Sequence, residues 1–521
     1  MLLRLYTMLW RILAAGVPLL LWRRVQRGKE FAHRRQERRG IASHPRPPDA
    51  TRLYWLHAVS VGESIAAYVL ARAILAEESQ ATLSPTKPHA PSPNKTQALS
   101  PTKPLTDSPA TPQAQSHADS HRQVHADSHS QVHVDSHRQE AGVYVVMTTA
   151  TTTAANMLAR QIARDHLPII QQMQPLDHPR WLDRFLSHWQ PDVLVTLESD
   201  IWPMMVLRTH ARHIPIAMMS AQISTRSFER WQWVGQTTRQ KLFGCFSRID
   251  AIDETHRKRF QYLLGDTNHR QHNQQSYPRP YLGISGPLKA AAPPLSVDAD
   301  LANKIVKASA GRFIILLASC HAGEDVLVAD AVISMQRDPS LLLILAPRYT
   351  DASTSTQLNA NLGRRGYTAP LLSRGDLPAP DQPFWVADAM GIMGTLMSVA
   401  DAVIMGGGFN PLGGHNPMEA AALKRGVISG RHIDKNRALY GRLDDYGGVV
   451  WASSVHEIAT AIIDAMASPS RLARLNSAAF QAWQSMTHQA EAAAKHAISL
   501  TKSGGAMHAK HKSKIRGKQK K

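Results

Sequence analysis

The sequence predicts an α/β protein made of two doubly wound parallel sheets that face a cleft, and three observations carry that reading. Short apolar runs alternate with helical patterns along most of the 521 residues. They fall into two sets, separated by a proline-rich stretch from Tyr277 to Pro294. Glycines and charged residues gather just after the apolar runs, where an open parallel sheet binds its ligands.

Length supports the same division, because a chain this long exceeds one ordinary core. In the first set, Leu53 to Ala58, Val143 to Met147, Val193 to Leu197 and Ile214 to Met219 read as buried strands. In the second, Phe313 to Ala318, Leu341 to Ala346, Ala402 to Met405 and Val427 to Ser429 do so. Helices are expected between them, at Ser64 to Glu78, Ala154 to Arg164, Glu324 to Ser334 and Pro417 to Leu423. That alternation is the pattern of parallel sheets covered on both faces. The expected organisation is an anchor and basic segment over 1–45, a first domain over 46–285, a second over 286–500 and a basic disordered tail over 501–521.

At the start, Met1 to Trp22 are largely apolar, with Arg4 and Arg11 as the charged exceptions. The unbroken run from Ile12 to Trp22 falls short of the ~20 residues that cross a bilayer as a helix. Counted from Leu5, with Arg11 tolerated, the span is marginal. No small-residue cleavage site follows, so a secretory signal is not expected. Trp10, Trp22 and the following arginines suit an interfacial or single-pass anchor with its basic side cytoplasmic. An amphipathic helix packed on the protein itself fits the same pattern.

Lysine and arginine number 60 against 40 acidic residues, for a net charge of +20. Such a charge favours a polyanionic partner. The basic clusters lie at the ends, from Arg23 to Arg39 and from Lys510 to Lys521, without the interleaved aromatics of a single-strand groove. An anionic membrane surface is therefore expected, and nucleic acid is not. The two cysteines, Cys245 and Cys320, exclude a disulfide framework and fit a reducing cytosolic setting.

Residues 80–140 break from their surroundings. Ser-Pro-Thr-Lys-Pro begins at Ser84 and again at Ser100, and a His-x-Asp-Ser-His unit starts at His117, His125 and His133. Large apolar residues are nearly absent, so the segment reads as a disordered insertion. Its histidines offer at most opportunistic metal contacts.

The candidate chemistry follows the strands. His57-Ala-Val-Ser-Val-Gly-Glu63 places a carboxylate at a helix start, either as a general base or as a cap of its own helix. The absence of a glycine before Ser60-Val-Gly62 disfavours a serine hydrolase. Glu198-Ser-Asp-Ile-Trp202-Pro203 either binds sugar or forms a solvated loop anchored by the indole. Pro347-Arg348 offers forked donors to an anion, or a surface ion pair. The glycine-rich run from Gly406 to Glu419 allows close approach of a phosphate, with Glu419 suited to ribose hydroxyls, although tight turns use glycine too. No Gly-Lys-Ser/Thr triplet follows, which argues against a P-loop. No Asp-x-Asp stands at a strand end, so no metal and no cofactor is expected.

Taken together, His57 to Glu63, Glu198 to Pro203, Gly286-Pro-Leu-Lys289, Pro347-Arg348 and Gly413-Gly-His-Asn-Pro-Met-Glu419 resemble, in this order, the motifs of transferases of 3-deoxy-D-manno-octulosonic acid (Kdo). The resemblance covers nearly the whole chain outside the insertion and tail. It implies a GT-B fold of two Rossmann-like domains, with acceptor in the first and CMP-Kdo in the second. It further implies metal-independent, inverting transfer of Kdo to a lipid A precursor at the cytoplasmic face of the inner membrane. Glu63 would be the base, with Glu198 and Lys289 supporting the transition state. Pro347, Arg348, Met390, Gly391, Ile392, Asn416, Pro417, Met418 and Glu419 would surround CMP. The chain departs from the family pattern at Ile392 (usually acidic), Gln222 (usually arginine), Pro287 (usually asparagine), Tyr349 (usually histidine) and Ala322 (usually acidic). These departures keep open a transferase using another nucleotide sugar and a non-catalytic membrane-bound scaffold.

Overall fold

The computed structural model describes residues 2–83, 142–199, 201–265, 279–335 and 340–519, with side chains described as far as residue 502. The histidine repeat and the two Ser-Pro-Thr-Lys-Pro units lie outside the described residues, as does Asp200. Residues 1–78 and 141–521 form one compact unit.

Seven parallel strands make the first sheet: β1 (Ala50–His57), β2 (Gly142–Thr149), β3 (Ile169–Met173), β4 (Val193–Leu197), β5 (Ile216–Ala221), β6 (Arg248–Ala251) and β7 (Tyr281–Ile284). Their order is β3-β2-β1-β4-β5-β6-β7. Six parallel strands make the second: β8 (Phe313–Cys320), β9 (Leu341–Pro347), β10 (Phe384–Val386), β11 (Ala402–Met405), β12 (Val427–Ser429) and β13 (Val449–Trp451), in the order β10-β9-β8-β11-β12-β13. Both sheets reverse direction beside their first strand. That leaves a crevice between β1 and β4 and another between β8 and β11, the places where doubly wound folds bind ligands.

All eight expected strands are present, and β4, β11 and β12 keep their expected bounds. Five further strands are β3, β6, β7, β10 and β13. β3 and β6 carry Ile-Ile-Gln-Gln-Met and Arg-Ile-Asp-Ala, which lack a continuous apolar run, while β10 and β13 are apolar but only three residues each. Hydrogen bonding to an already formed sheet supplies what their composition does not.

The last helix, Pro469–Gln519, revises the expected domain boundary. Ala479, Ala482, Met486, Ala490, Ala493 and Ala497 form one nearly dry face, at helical spacing, in the same apolar cluster as residues of both sheets. The helix starts beside the second sheet, where Ala479 backs onto Gly448, and continues to the first. There Trp483 Nε1 donates to Ala292 O (3.2 Å), and His496 Nδ1 lies 3.2 Å from the buried Asp250 carboxylate. The end of the expected second domain thus packs on the first. Helical backbone also continues to Gln519, where a disordered tail was expected.

Part of the N-terminal basic segment is internal, although Arg23, Arg27, Lys29, Arg35 and Arg39 stay exposed. Arg38 is 2% exposed, and its Nε donates to Glu30 Oε2 at 3.0 Å. Its other nitrogens donate to Gln174 O (3.2 Å) and Ala150 O (2.5 Å). Arg34 pairs with the buried Glu37, whose Oε2 also accepts from Met173 N (2.5 Å). These arginines fasten the segment to the ends of β2 and β3. Truncating Arg38 leaves the buried Glu30 carboxylate with the more distant, half-exposed Arg24 Nε (3.6 Å) in place of its close partner, so Arg38→Ala is expected to cost about 3 kcal/mol in denaturant unfolding. Arg38→Lys should recover only part, because it lacks the fork that reaches three acceptors.

Candidate functional site

At the first crevice, β1 ends in His57 and β4 in Leu197, so the two candidate carboxylates emerge from neighbouring strands. Glu63 Oε2 accepts from Val59 N (2.5 Å) and Ser60 N (3.2 Å), while Glu63 N donates to Ser60 Oγ (3.3 Å). This is a reciprocal capping box on the Val61–Leu83 helix. The capping alternative is thus realised in the geometry.

Glu198 adopts a left-handed backbone, with φ of 58°, rare for a residue with a side chain. Its amide donates to Met219 O (3.0 Å), its carbonyl accepts from Gln222 N (3.2 Å), and its Oε2 accepts from Gln222 Nε2 (2.6 Å). The turns after β4 and β5 are thereby tied together. Trp202 is partly buried against the first domain's core, consistent with an anchoring indole. Lys289 stands on a short 3-10 turn, Leu288–Ala291. Ser220, also left-handed at 49°, sets that turn: its hydroxyl donates to Gly286 O (2.8 Å) and accepts from Leu288 N (2.9 Å).

The second crevice is organised by a residue that the sequence reading did not single out. Glu324, 1% exposed, accepts from His321 N (3.0 Å), from Gly407 N (2.8 and 2.9 Å to its two oxygens) and from Phe409 N (3.2 Å). One carboxylate thus pins the glycine-rich loop after β11 to the turn after β8. A signal was present: Gly323-Glu324 repeats Gly62-Glu63 at the first strand-to-helix turn of the other half.

The loop's glycines are used in packing. A Cβ at Gly406 would stand 2.6 Å from Ser319 O, and one at Gly408 would stand 2.7 Å from Ser429 Oγ. The helix after His415 is only five residues, Met418–Ala422, shorter than expected. The loop also presents side chains.

His415 stacks on His321, with ring centroids 5.1 Å apart and Nε2 atoms 2.9 Å apart. Burial, helped by Arg348 and His321, lowers the His415 pKa to about 4. Asn416 Nδ2 lies 3.4 Å from Glu419 Oε1, and burial raises the Glu419 carboxyl above its ordinary range despite Asn416 and Arg348. Arg348, exposed at the end of β9 after the buried Pro347, acts electrostatically on both. Pro417 and Met418 are buried beneath the group.

Met390, Gly391 and Ile392 follow β10, two strands from the crevice. Met390 is exposed, Gly391 is left-handed, and Ile392 packs into the core while preceding the Met393–Val399 helix. An acidic side chain at position 392 would face that apolar packing.

Between the two halves lies a cleft of about 250 Å³. Gln222, His256, Arg259 and Lys289 line it from the first half, and Asp434, Lys435 and Arg437 from the second. Arg437 pairs with Asp434, and Arg259 donates to Ile223 O. The side-chain ammonium groups of Lys289 and Lys435 make no hydrogen bond or ion pair among the described residues, leaving two cations for an anion. Lys435 went unnoticed in the sequence; its backbone N donates to Gly413 O (3.0 Å), linking the cleft to the glycine-rich loop. Among the described residues, no three His, Cys, Asp or Glu side chains gather as a metal site. Cys245 and Cys320 are free and buried, and burial pushes the Cys245 thiol up to about 11.

A family model described as 3-deoxy-D-manno-octulosonic-acid transferase (kdotransferase) matches residues 33–91 and 128–274. A probable mitochondrial 3-deoxy-D-manno-octulosonic acid transferase of Arabidopsis thaliana is 27% identical over 437 residues, 82% of this chain and 79% of its own length. The 3-deoxy-D-manno-octulosonic acid transferase of Bordetella pertussis is 26% identical over 439 residues, 82% of each chain. Among solved structures, the C-terminal CMP-Kdo binding domain of WaaA from Acinetobacter baumannii aligns with 36% of this chain and 97% of its own length, at 20% identity and a TM-score of 0.34. A glycosyltransferase from Rickettsia africae aligns with 87% of this chain and 98% of its own, at 8% identity and a TM-score of 0.49.

His57, the first residue of the β1 motif, gives a direct electrostatic test. It is 1% exposed, its Nδ1 lies 2.9 Å from Thr148 Oγ1, and burial lowers its pKa to about 3. The folded state therefore binds fewer protons than the unfolded state below the unfolded pKa near 6.5. The ring should remain neutral at pH 5 by NMR. Its contribution to stability should be complete above about pH 6.5 and decline as pH falls towards 3.

Proposed function

We propose, from the premise that the chain belongs to the Kdo transferase family of glycosyltransferases, that it transfers Kdo from CMP-Kdo to a lipid A precursor. The observation that carries the reading is the cleft in which Lys289 of the first half and Lys435 of the second leave two cations for an anionic substrate. CMP-Kdo carries a phosphate and a carboxylate, and a lipid A precursor carries phosphates.

In this proposal an acceptor sugar hydroxyl loses its proton to Glu63 as its oxygen attacks the anomeric carbon of Kdo. The bond from that carbon to the phosphate oxygen breaks, CMP leaves with the electron pair, and the configuration inverts. Lys289 and Lys435 offset charge on the leaving phosphate or the Kdo carboxylate, an electrostatic role that grows as the bond breaks. Glu198 holds the acceptor-side turns through Gln222. Arg348, Asn416 and Glu419 contact CMP, while Pro347, Pro417 and Met418 support them from below. Met390, Gly391 and Ile392 border the nucleotide through backbone. No metal or cofactor is required, because the leaving group is a monophosphate and the cations come from side chains.

Gln222 favours one variation on this theme. Its neutral amide is engaged by Glu198, so the acceptor-side turn supplies no cation at that position. A glycolipid acceptor with fewer phosphates is accommodated by the same cleft.

Glu63 must serve as cap and base together, and two substitutions separate these roles. Glutamine sustains a capping box, whereas alanine does not. With CMP-Kdo and a tetra-acylated lipid A precursor, Glu63→Gln should remain folded and lose at least ~100-fold in kcat. Glu63→Ala should lose activity as well, with about 1 kcal/mol of stability. Wild-type-like turnover by Glu63→Gln would remove the base assignment.

Lys435→Ala is expected to weaken CMP-Kdo binding about 10-fold in calorimetry, with a matching rise in KM, the scale of one charge-assisted contact. Unchanged binding would detach the cleft from the donor.

A further inference from the structure

We propose that residues 2–26 lie in the plane of one membrane leaflet without crossing it, and that this anchor holds the acceptor-side strand ends against an anionic lipid surface. The segment is apolar and long enough to cross, at 25 residues. Its packing points to a different use.

The segment has two helices, Leu2–Leu13 and Val17–Gln26, joined through a 3-10 turn at Ala14–Gly16. One face is docked on the first domain. Tyr6 OH donates to Asp177 Oδ2 (2.8 Å), and Thr7 Oγ1 lies 3.4 Å from Met204 Sδ. Val17 and Leu21, both under 5% exposed, pack with Trp181. The other face stays apolar and open: Leu5, Leu9, Ile12, Leu13, Leu19 and Leu20 are each at least half exposed. Arg4 and Arg11, seven residues apart and exposed, share the flank between those faces.

A docked face, a basic flank and an apolar face form the pattern of a helix lying at the headgroup boundary. To span, the helix must either leave its seat or take the domain surface bearing Arg180 and Arg184 into hydrocarbon. Arg11 would also stand near the middle of the bilayer, where an unpaired guanidinium is strongly disfavoured. In the plane, Arg4, Arg11, Arg23 and Arg27 meet anionic headgroups, and the aliphatic face enters the acyl region. That complementarity selects a lipid surface as the occupant.

The seat also connects to the candidate site. Asp177, 1% exposed, accepts from Met204 N (3.0 Å) and Met205 N (2.8 Å), which open the helix after the Glu198–Trp202 turn. Tyr6 and that helix start therefore share one carboxylate at the carboxyl end of the first sheet. The orienting consequence rests on the proposed lipid acceptor: the anchor turns that end towards the surface where the acceptor is embedded.

The topology is tested on the full-length protein with an epitope ahead of Met1, in inside-out and right-side-out membrane vesicles treated with protease. An in-plane anchor predicts that epitope and body are digested together in inside-out vesicles and protected together in right-side-out ones. Digestion from opposite sides would overturn the proposal. This readout needs no transfer activity, so its failure leaves the transferase reading intact, and failed transfer leaves the topology intact. The lipid preference is tested with vesicles of phosphatidylglycerol and of phosphatidylcholine. Arg4→Ala with Arg11→Ala should weaken binding to the anionic vesicles about 10-fold or more and leave the neutral vesicles little affected. Equal binding by wild type and variant to both would overturn the anionic-surface assignment.

Discussion

The candidate site depends on the alanine face of the last helix. The cleft takes its walls from two separate sheets, so its geometry exists only if those sheets are held in one relation. Ala479, Ala482, Ala490, Ala493 and Ala497 let the helix approach both halves closely, and His496 against the buried Asp250 adds a polar tie at its far end. Small side chains suit this role because they permit close packing with little loss of side-chain entropy. Lys289 and Lys435 line one cleft between the two halves on which this helix packs.

Within each half, a carboxylate after the first strand does the local ordering. Glu63 closes a capping box within its own turn, whereas Glu324 reaches across to the amides of another loop. The difference follows from their surroundings. Glu324 meets a glycine-rich loop whose backbone comes close enough to donate, while both amides on Glu63 come from its own turn. Glu324 is thus a positioning residue, and Glu63 combines positioning with the proposed chemistry. Strained residues mark the same crevices: Glu198, Ser220 and Ser319 all have left-handed backbones at strand ends. The surrounding hydrogen bonds hold these conformations, as expected where turn shape serves a site.

The charge distribution also changes meaning once folded. A net charge of +20 points to a polyanion, but Arg34 and Arg38 are occupied in internal ion pairs. Arg4 and Arg11 remain exposed beside the apolar face of the N-terminal helix. What bears on a membrane surface is the placement of a few arginines, more than their number.

The sequence by itself determined the α/β class, eight strands and the ordering of motifs at strand ends, because apolar periodicity and glycine placement are local properties. It also carried the family resemblance. Both candidate roles of Glu63, cap and base, were readable from its position, and the capping geometry is present. Five strands were invisible to it, because β3, β6, β7, β10 and β13 depend on neighbours for their pairing. Tertiary structure alone decided that the last helix returns to the first sheet, that the glycines of the 406–414 loop serve packing, and that Ile392 faces the core. Lys435 and Glu324 likewise gained meaning only when distant segments met, Lys435 beside Lys289 in the cleft and Glu324 beneath the amide of Gly407. The physical reason is common to all of them: burial and hydrogen-bond partnership are set by residues far apart in sequence, and local pattern does not record which segments will meet.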